Sequence, residues 1–242
     1  MMDRESGVAL WRQIADALAG DIASGQFAEG DRLPSEAALA ERFGVNRHTV
    51  RASIADLVSR QLLQSRRGSG TYIRKQAKLI YPISRRTRFS AATSGQGATR
   101  GITVLESLVE SASEDVRRAL RLGGGAQVER LETISTLDEV PIAKATSRFD
   151  ATRFKGIGAV LKQTGSITKS LATFGVPDYV RALSEVTSRH ASQDEIDSLS
   201  LSPGAIVLCV TSVNEDMSGQ PIEYGQTVFA AERTTLQFEP AA

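Results

Sequence analysis

The chain has 242 residues, 41% hydrophobic and 24% charged, with a formal net charge of +1, the profile of an ordinary globular protein long enough for two domains with separate cores. It has no apolar run of about 18 residues to span a bilayer, and its opening, with Asp3, Arg4 and Glu5, lacks the apolar stretch of a signal peptide, so a cytoplasmic protein with no membrane partner is expected. Two histidines and a single cysteine, Cys209, exclude an internal disulfide and a histidine-rich metal site, and no cofactor is expected.

Residues 8–23 place Leu10, Ile14, Leu18 and Ile22 at four-residue spacing, one apolar face of an amphipathic helix that Gly25 should end. Ser35, after Pro34, suits the N-cap of a second helix through Phe43, with Leu39 and Phe43 facing inward. Gly44 permits a tight turn, and Asn46 can cap a third helix whose buried stripe is Val50, Ile54, Leu57 and Val58. Its polar face is left to Arg47, His48, Thr49 and Arg51. Residues 62–66 and 71–74 alternate like hairpin strands around Gly68-Ser69-Gly70, presenting Arg66 and Arg67 beside a flexible tip. This order of elements predicts a winged helix-turn-helix.

Charge supports that prediction. Between Arg42 and Ser90 there are 12 Lys or Arg against one acid, Asp56, whereas from Ala91 onward 14 basic residues face 19 acidic ones. A basic segment that coincides with a helix-turn-helix and wing is the footprint of a phosphate-binding face, so double-stranded operator DNA is the expected partner. The first residues of a recognition helix reach the major groove, and the wing would enter or straddle the minor groove.

The segments Leu10-Trp11-Arg12-Gln13-Ile14, Arg32-Leu33-Pro34-Ser35-Glu36, Val45-Asn46-Arg47-His48-Thr49-Val50-Arg51 and Gly68-Ser69-Gly70-Thr71 resemble, in that order, the DNA-binding domain of the GntR family of bacterial regulators. The resemblance implies operator contacts from Arg47, Thr49, Arg51 and the wing around Arg67 and Gly68. His48, Arg66, Arg32 and Ser35 complete the candidate DNA-binding set. Asn46 stands where many members have serine, and it retains capping ability.

From 76 to 101 the pattern weakens, and Arg85, Arg86 and Arg88 among Ser, Thr and Gly predict an exposed linker. Beyond it, Ser113 should cap a short helix stopped by Gly123-Gly124-Gly125. Residues 127–137 and 141–149 read as a hairpin, and Ser166 caps a helix with Ile167, Leu171 and Phe174 on one face. A strand at 179–190, a helix at 192–199 and a second hairpin at 205–213 and 221–231 follow. Hairpins interrupted by short helices predict an α+β domain on an antiparallel sheet. The expected division is a winged helix at 1–75, a linker at 76–92 and an effector-binding and dimerisation domain at 93–242.

That second domain is similar to the ligand-sensing UTRA domain of HutC-type GntR regulators, which shares the chorismate lyase fold. The segments Gly165-Ser166-Ile167-Thr168, Val176-Pro177-Asp178-Tyr179-Val180-Arg181 and Gly219-Gln220-Pro221-Ile222-Glu223-Tyr224-Gly225 look most like regulators of phosphonate uptake and breakdown. The resemblance implies a small anionic effector held by Ser90 in Thr87-Arg88-Phe89-Ser90, by Ser166, by Thr168 in place of a tyrosine, and by Glu223 with Phe229. The paired arginines of sugar-phosphate-sensing relatives are replaced by Thr133 and Ser135. Arg88, Arg148 and Arg181 offer bidentate donors, Glu223 an acceptor for an amine or hydroxyl, and Tyr224 joins the candidate set.

The expectation is therefore a homodimeric transcription regulator, a repressor by family, whose operator affinity follows effector binding. An enzyme is the first rival, and the sequence offers no convergent nucleophile and base, no Gly-Xaa-Ser-Xaa-Gly and no metal spacing. A nucleoid-type protein without sequence preference is the second.

Overall fold

A computed structural model describes residues 7–66, 68–74, 79–84 and 99–238. The chain divides into two compact units, 1–76 with 200–203, and 77–199 with 204–242.

The first unit is built on three helices, α1 (Leu10–Ala23), α2 (Glu36–Phe43) and α3 (Arg47–Ser59). Ile14 and Leu18 of α1 pack with Leu39, Val50, Ile54 and Leu57 in one core, which is why the apolar four-residue spacing holds as helix. Both predicted caps form: the Ala38 amide donates to Ser35 Oγ at 3.2 Å, and the Thr49 amide to Asn46 Oδ1 at 2.8 Å. Gly44 turns between α2 and α3 at φ 63°, the left-handed region a side chain would disfavour. Ser53 on α3 donates to the Trp11 carbonyl at 2.7 Å, tying α3 to α1. Strands β1 (Leu63–Arg66) and β2 (Gly70–Ile73) form the antiparallel hairpin of the wing.

The second unit holds β3 (Leu79–Ile83), β4 (Arg100–Ser111), α4 (Glu114–Leu120), β5 (Gln127–Leu137), β6 (Val140–Asp150), α5 (Ile157–Thr164), α6 (Ile167–Thr173), β7 (Tyr179–His190), α7 (Gln193–Leu199), β8 (Ile206–Asp216), β9 (Pro221–Ala230) and β10 (Thr234–Phe238). Six strands form one antiparallel sheet in the order β4-β5-β6-β9-β8-β7, while β3 pairs in parallel with β10. Helices α5 and α6 cover one face, burying Ile157, Leu161 and Leu171 against Leu131, Phe149 and Phe154. On the other face α4 brings Val116 and Leu120 onto Val128. Burial of such side chains contributes roughly 1.5–3 kcal/mol apiece.

Three local expectations need correction. Strand β3 lies inside the stretch read as linker, because Leu79, Tyr81 and Ile83 alternate inward and are buried. Helix α4 stops at Arg121, which takes the left-handed conformation, before the three glycines. Strand β4 and helix α5 were not anticipated. Helix α5 is anchored by Glu129, a buried carboxylate that accepts from the Gly156 and Gly158 amides at 2.8 and 2.9 Å and from Ser107 Oγ at 3.0 Å.

Candidate nucleic-acid interface and effector cavity

At the start of α3, Arg47 and His48 are exposed and Thr49 is half-buried, its hydroxyl donating to Asn46 Oδ1 at 3.0 Å. Arg51, one turn on, is exposed but held. Its Nε lies 2.9 Å from each oxygen of Glu36 on α2, and a terminal nitrogen lies 2.9 Å from Oε2. The hydrogen bond from Arg51 holds the Glu36 carboxyl below its ordinary range. The fork therefore braces α2 against α3 and fixes the direction in which the guanidinium points.

In the wing, Arg66 stacks over the Tyr72 ring at 4.7 Å, and Tyr72 shares a 2.6 Å hydroxyl contact with Ser69. Gly68 turns at φ 75°. Arg32 bridges to Tyr72 through its backbone, and its side chain lies on Gly70, where a Cβ would come within 2.8 Å of Nε. Ser35 Oγ is occupied as the α2 cap. Arg67 lies outside the described residues. Not every cation of the basic segment is free at the surface: Arg60 is buried against Asp16 and Asp56, and Arg42, though exposed, pairs with Asp21.

The second unit contains a cavity of about 170 Å³ between the inner sheet face and the start of α6. Alternate residues of three strands form its floor: Ala143, Ala145 and Ser147 of β6, Glu223, Gly225 and Thr227 of β9, and Ser212 and Asn214 of β8. A buried polar chain crosses it. Ser147 Oγ donates to Glu223 Oε1 at 2.6 Å, Asn214 Nδ2 donates to Glu223 Oε2 at 2.6 Å, and Arg181 Nε donates to Asn214 Oδ1 at 2.7 Å. Tyr81 and Phe229 close one wall with ring centroids 5.0 Å apart. Burial pushes the Tyr81 phenol up, and the neighbouring Arg181 guanidinium opposes that shift. Elsewhere in the lining, Thr168 Oγ1 and the Tyr179 hydroxyl are 3.0 Å apart.

The family models match where these two sites lie: the description "Bacterial regulatory proteins, gntR family" covers residues 10–73, and "UTRA domain" covers residues 95–235. The chain belongs to the GntR family of regulators, in the group that carries a UTRA domain.

This GntR-family chain is 42% identical to the uncharacterized HTH-type transcriptional regulator RB1450 of Rhizobium meliloti (strain 1021), over 99% of its own length and 98% of that protein. It is 24% identical to the HTH-type transcriptional repressor NagR of Bacillus subtilis (strain 168), over 97% and 96% of the two chains. The crystal structure of PhnF from Mycobacterium smegmatis matches with a TM-score of 0.63 over 95% of this chain and 99% of that one, at 23% identity, which shows the shared fold. These matches are to transcription regulators and not to enzymes.

Within this GntR-family regulator the structure gathers Ser166, Thr168, Arg181 and Glu223 around the cavity, together with Thr133, Ser135 and Phe229. Arg148 and Tyr224 are corrections. Arg148 points to the opposite sheet face, 3.3 Å from Glu110 and 3.0 Å from Gln226, and Tyr224 packs there beside Val116, Leu120 and Val128. Each is next in sequence to a cavity residue, Ser147 and Glu223, and neighbours on a strand face opposite ways. Arg88 and Ser90 lie outside the described residues. Sequence reasoning missed Arg100, Tyr81, Ser147 and Asn214, all in the lining. Strand alternation from Glu223 and across the β8–β9 register, which sets Asn214 opposite Glu223, was the signal for Asn214. Arg100 makes no side-chain hydrogen bond or ion pair among the described residues.

Proposed function

We propose that this chain is a cytoplasmic, homodimeric repressor that binds a two-fold symmetric operator and releases it when a small anion fills the cavity of the second unit. The observation that carries this reading is the polar chain Arg181–Asn214–Glu223–Ser147, buried in a cavity lined with hydroxyls and flanked by a cation with no partner among the described residues, Arg100. Buried polar groups of this kind are retained where a ligand is to be oriented.

On the DNA side, Arg47, His48, Thr49 and Arg51 read base edges or phosphates in the major groove, while Arg32, Ser35, Arg66, Arg67 and Gly68 follow the backbone. No helix among the described residues is long and apolar enough to cross a bilayer. Exposed Leu183 and Val186 on edge strand β7, with Ile206 paired at its end, support a second copy as the dimer partner. Because effector and operator sites lie in different units, the ligand acts only through its unequal affinity for two dimer arrangements.

The resemblance to phosphonate regulators makes a phosphonate or phosphate ester the first effector class, with a sugar phosphate or an amino-acid-derived carboxylate as the alternative; Thr133 and Ser135, in place of paired arginines, weigh against the sugar phosphate. A melting screen against phosphonates, phosphate esters and amino acids tests the effector, since a ligand of the folded state raises the transition by mass action. Arg47→Ala with Arg51→Ala tests the operator face: binding should fall at least tenfold with a shallower salt slope, and unchanged binding would falsify the assignment of α3.

A further inference from the structure

Three acids are buried among the described residues, Glu129, Glu195 and Glu223, and a carboxylate taken out of water needs a counter-charge. Glu195 has one in Arg189, whose terminal nitrogens lie 2.7 and 2.6 Å from its two oxygens. Glu129 has one in the start of α5, where the Gly156 and Gly158 amides present the positive end of the helix. Glu223, 8% exposed, has neither. Its oxygens accept from the uncharged Ser147 hydroxyl and Asn214 amide, and the hydrogen bonds join Arg181 to it only through Asn214. Of the three acids, it is Glu223 that lines the cavity.

The space beside this carboxylate is kept clear. Gly225 is the next inward-facing residue of β9, and its backbone has no positive φ that would call for glycine. A Cβ there would come 3.1 Å from Ser212 Oγ and 3.7 Å from Glu223 Oε1. Glycine weakens a strand interior, and it is found there where another group approaches closely. Ala143 and Ala145 of the adjoining β6 continue the floor with small side chains.

A neutral donor entering that space adds a hydrogen bond and leaves the charge of Glu223 uncompensated. A protonated amine brings the donors and the missing charge together. The charged groups of the lining are Arg100, Arg181 and Glu223, so the complementary ligand carries an anionic end and a cationic one. Resting on the regulator reading above, we infer that the effector is a zwitterion, an ammonium-bearing phosphonate, phosphate ester or carboxylate, and that Glu223 selects it by pairing with the ammonium. In the empty protein the Glu223 charge opposes folding, and the ligand relieves it.

Two measurements on the full-length protein test this. Without any ligand, Glu129→Gln should lower the melting temperature, because it removes a compensated charge, whereas Glu223→Gln should leave it unchanged or raise it. Isothermal titration calorimetry then compares probes that share an anion and differ in the amine: 2-aminoethylphosphonate against ethylphosphonate, O-phosphoethanolamine against ethyl phosphate, and β-alanine against propionate. In at least one pair the amine should bind about tenfold more tightly or better, the scale of one hydrogen bond to a charged group, and Glu223→Gln should bring the two members to equal affinity. Should Glu223→Gln not fold, Gly225→Ala, which fills the space beside the carboxylate, should weaken the amine-bearing member about tenfold. Equal binding within every pair, or a fall in the melting temperature of Glu223→Gln as large as that of Glu129→Gln, overturns the inference and leaves an anionic effector standing. Ethylamine binding as tightly as 2-aminoethylphosphonate overturns the anionic half of the zwitterion, and with it the effector class of the regulator reading. Silence from every probe overturns the anionic effector and the inference together.

Discussion

Glu36 is an acid placed where the surface is otherwise prepared for phosphates. It stands in the first turn of α2, where a carboxylate is favoured by the free amides of the helix start, and it grips Arg51 of α3 in a two-oxygen fork. An exposed ion pair stabilises little, so its value lies in direction: an arginine that is already aimed loses less freedom when it meets a base edge or a phosphate. Two effects then oppose each other in Glu36→Gln. Loss of the negative charge strengthens attraction to any duplex, whereas loss of the fork releases Arg51. Affinity for unrelated DNA should rise a few-fold while affinity for the selected operator falls, lowering the specific-to-nonspecific ratio by about tenfold, the scale of one good side-chain contact with a base. Competition binding against unrelated duplex measures both; a ratio equal to that of the unmodified protein would show that Glu36 only caps α2.

At the scale of elements, the ends of helices and strands were legible where a local chemical reason sets them. Ser35, Asn46, Ser113 and Ser166 all cap the helices they were expected to cap, since each cap is decided by one side chain and an amide three residues on. Strand β4 was not legible, because its edge position leaves the apolar alternation incomplete, with Leu105 and Val109 exposed. Helix α5 was missed although Ile157 and Leu161 stand one turn apart between Gly156 and Gly165; its anchor, Glu129, comes from a distant strand that no local window includes. The cavity was half legible: residue types pointed to Ser166, Arg181 and Glu223, and pairing Glu223 with Tyr224 ignored the strand's alternation. Helix α7 offers a measurable case of anchoring by a nearby strand residue. The Arg189 guanidinium on β7, helped by Ser192 against the cost of burial, holds the Glu195 carboxyl down at about 2. A depressed carboxylate contributes stability that is complete above the ordinary glutamate range and is lost as pH falls toward 2. Glu195→Gln should therefore cost about 2 kcal/mol in urea unfolding at pH 7, and the gap to the unmodified protein should narrow steadily between about pH 4.5 and 2. A gap independent of pH would assign the loss to packing.

Across the whole molecule, charge is distributed unevenly along the chain. The segment from Arg42 to Ser90 is strongly basic, and the chain from Ala91 onward carries more acids than bases, so attraction to a polyanion concentrates on that segment, which contains α3 and the wing. Burial sharpens the contrast, since Arg47, Arg51 and Arg66 are exposed whereas Arg60 is consumed by Asp16 and Asp56 inside the unit. If each of two winged helices neutralises about three phosphates, the counterions released number about six, and log affinity should fall against log salt with a slope near −5. Raising salt from about 50 to 200 mM should then weaken operator binding roughly a thousandfold. Over the same range the melting of the second unit should move little, because Phe149, Phe154, Phe229 and Leu131 hold its core by apolar contact, which ions of moderate concentration leave alone. Titrating both quantities in one salt series separates the two units: a flat operator slope would mean that the basic segment is not at the interface, and a melting transition that tracks the slope would mean that the units share their electrostatics.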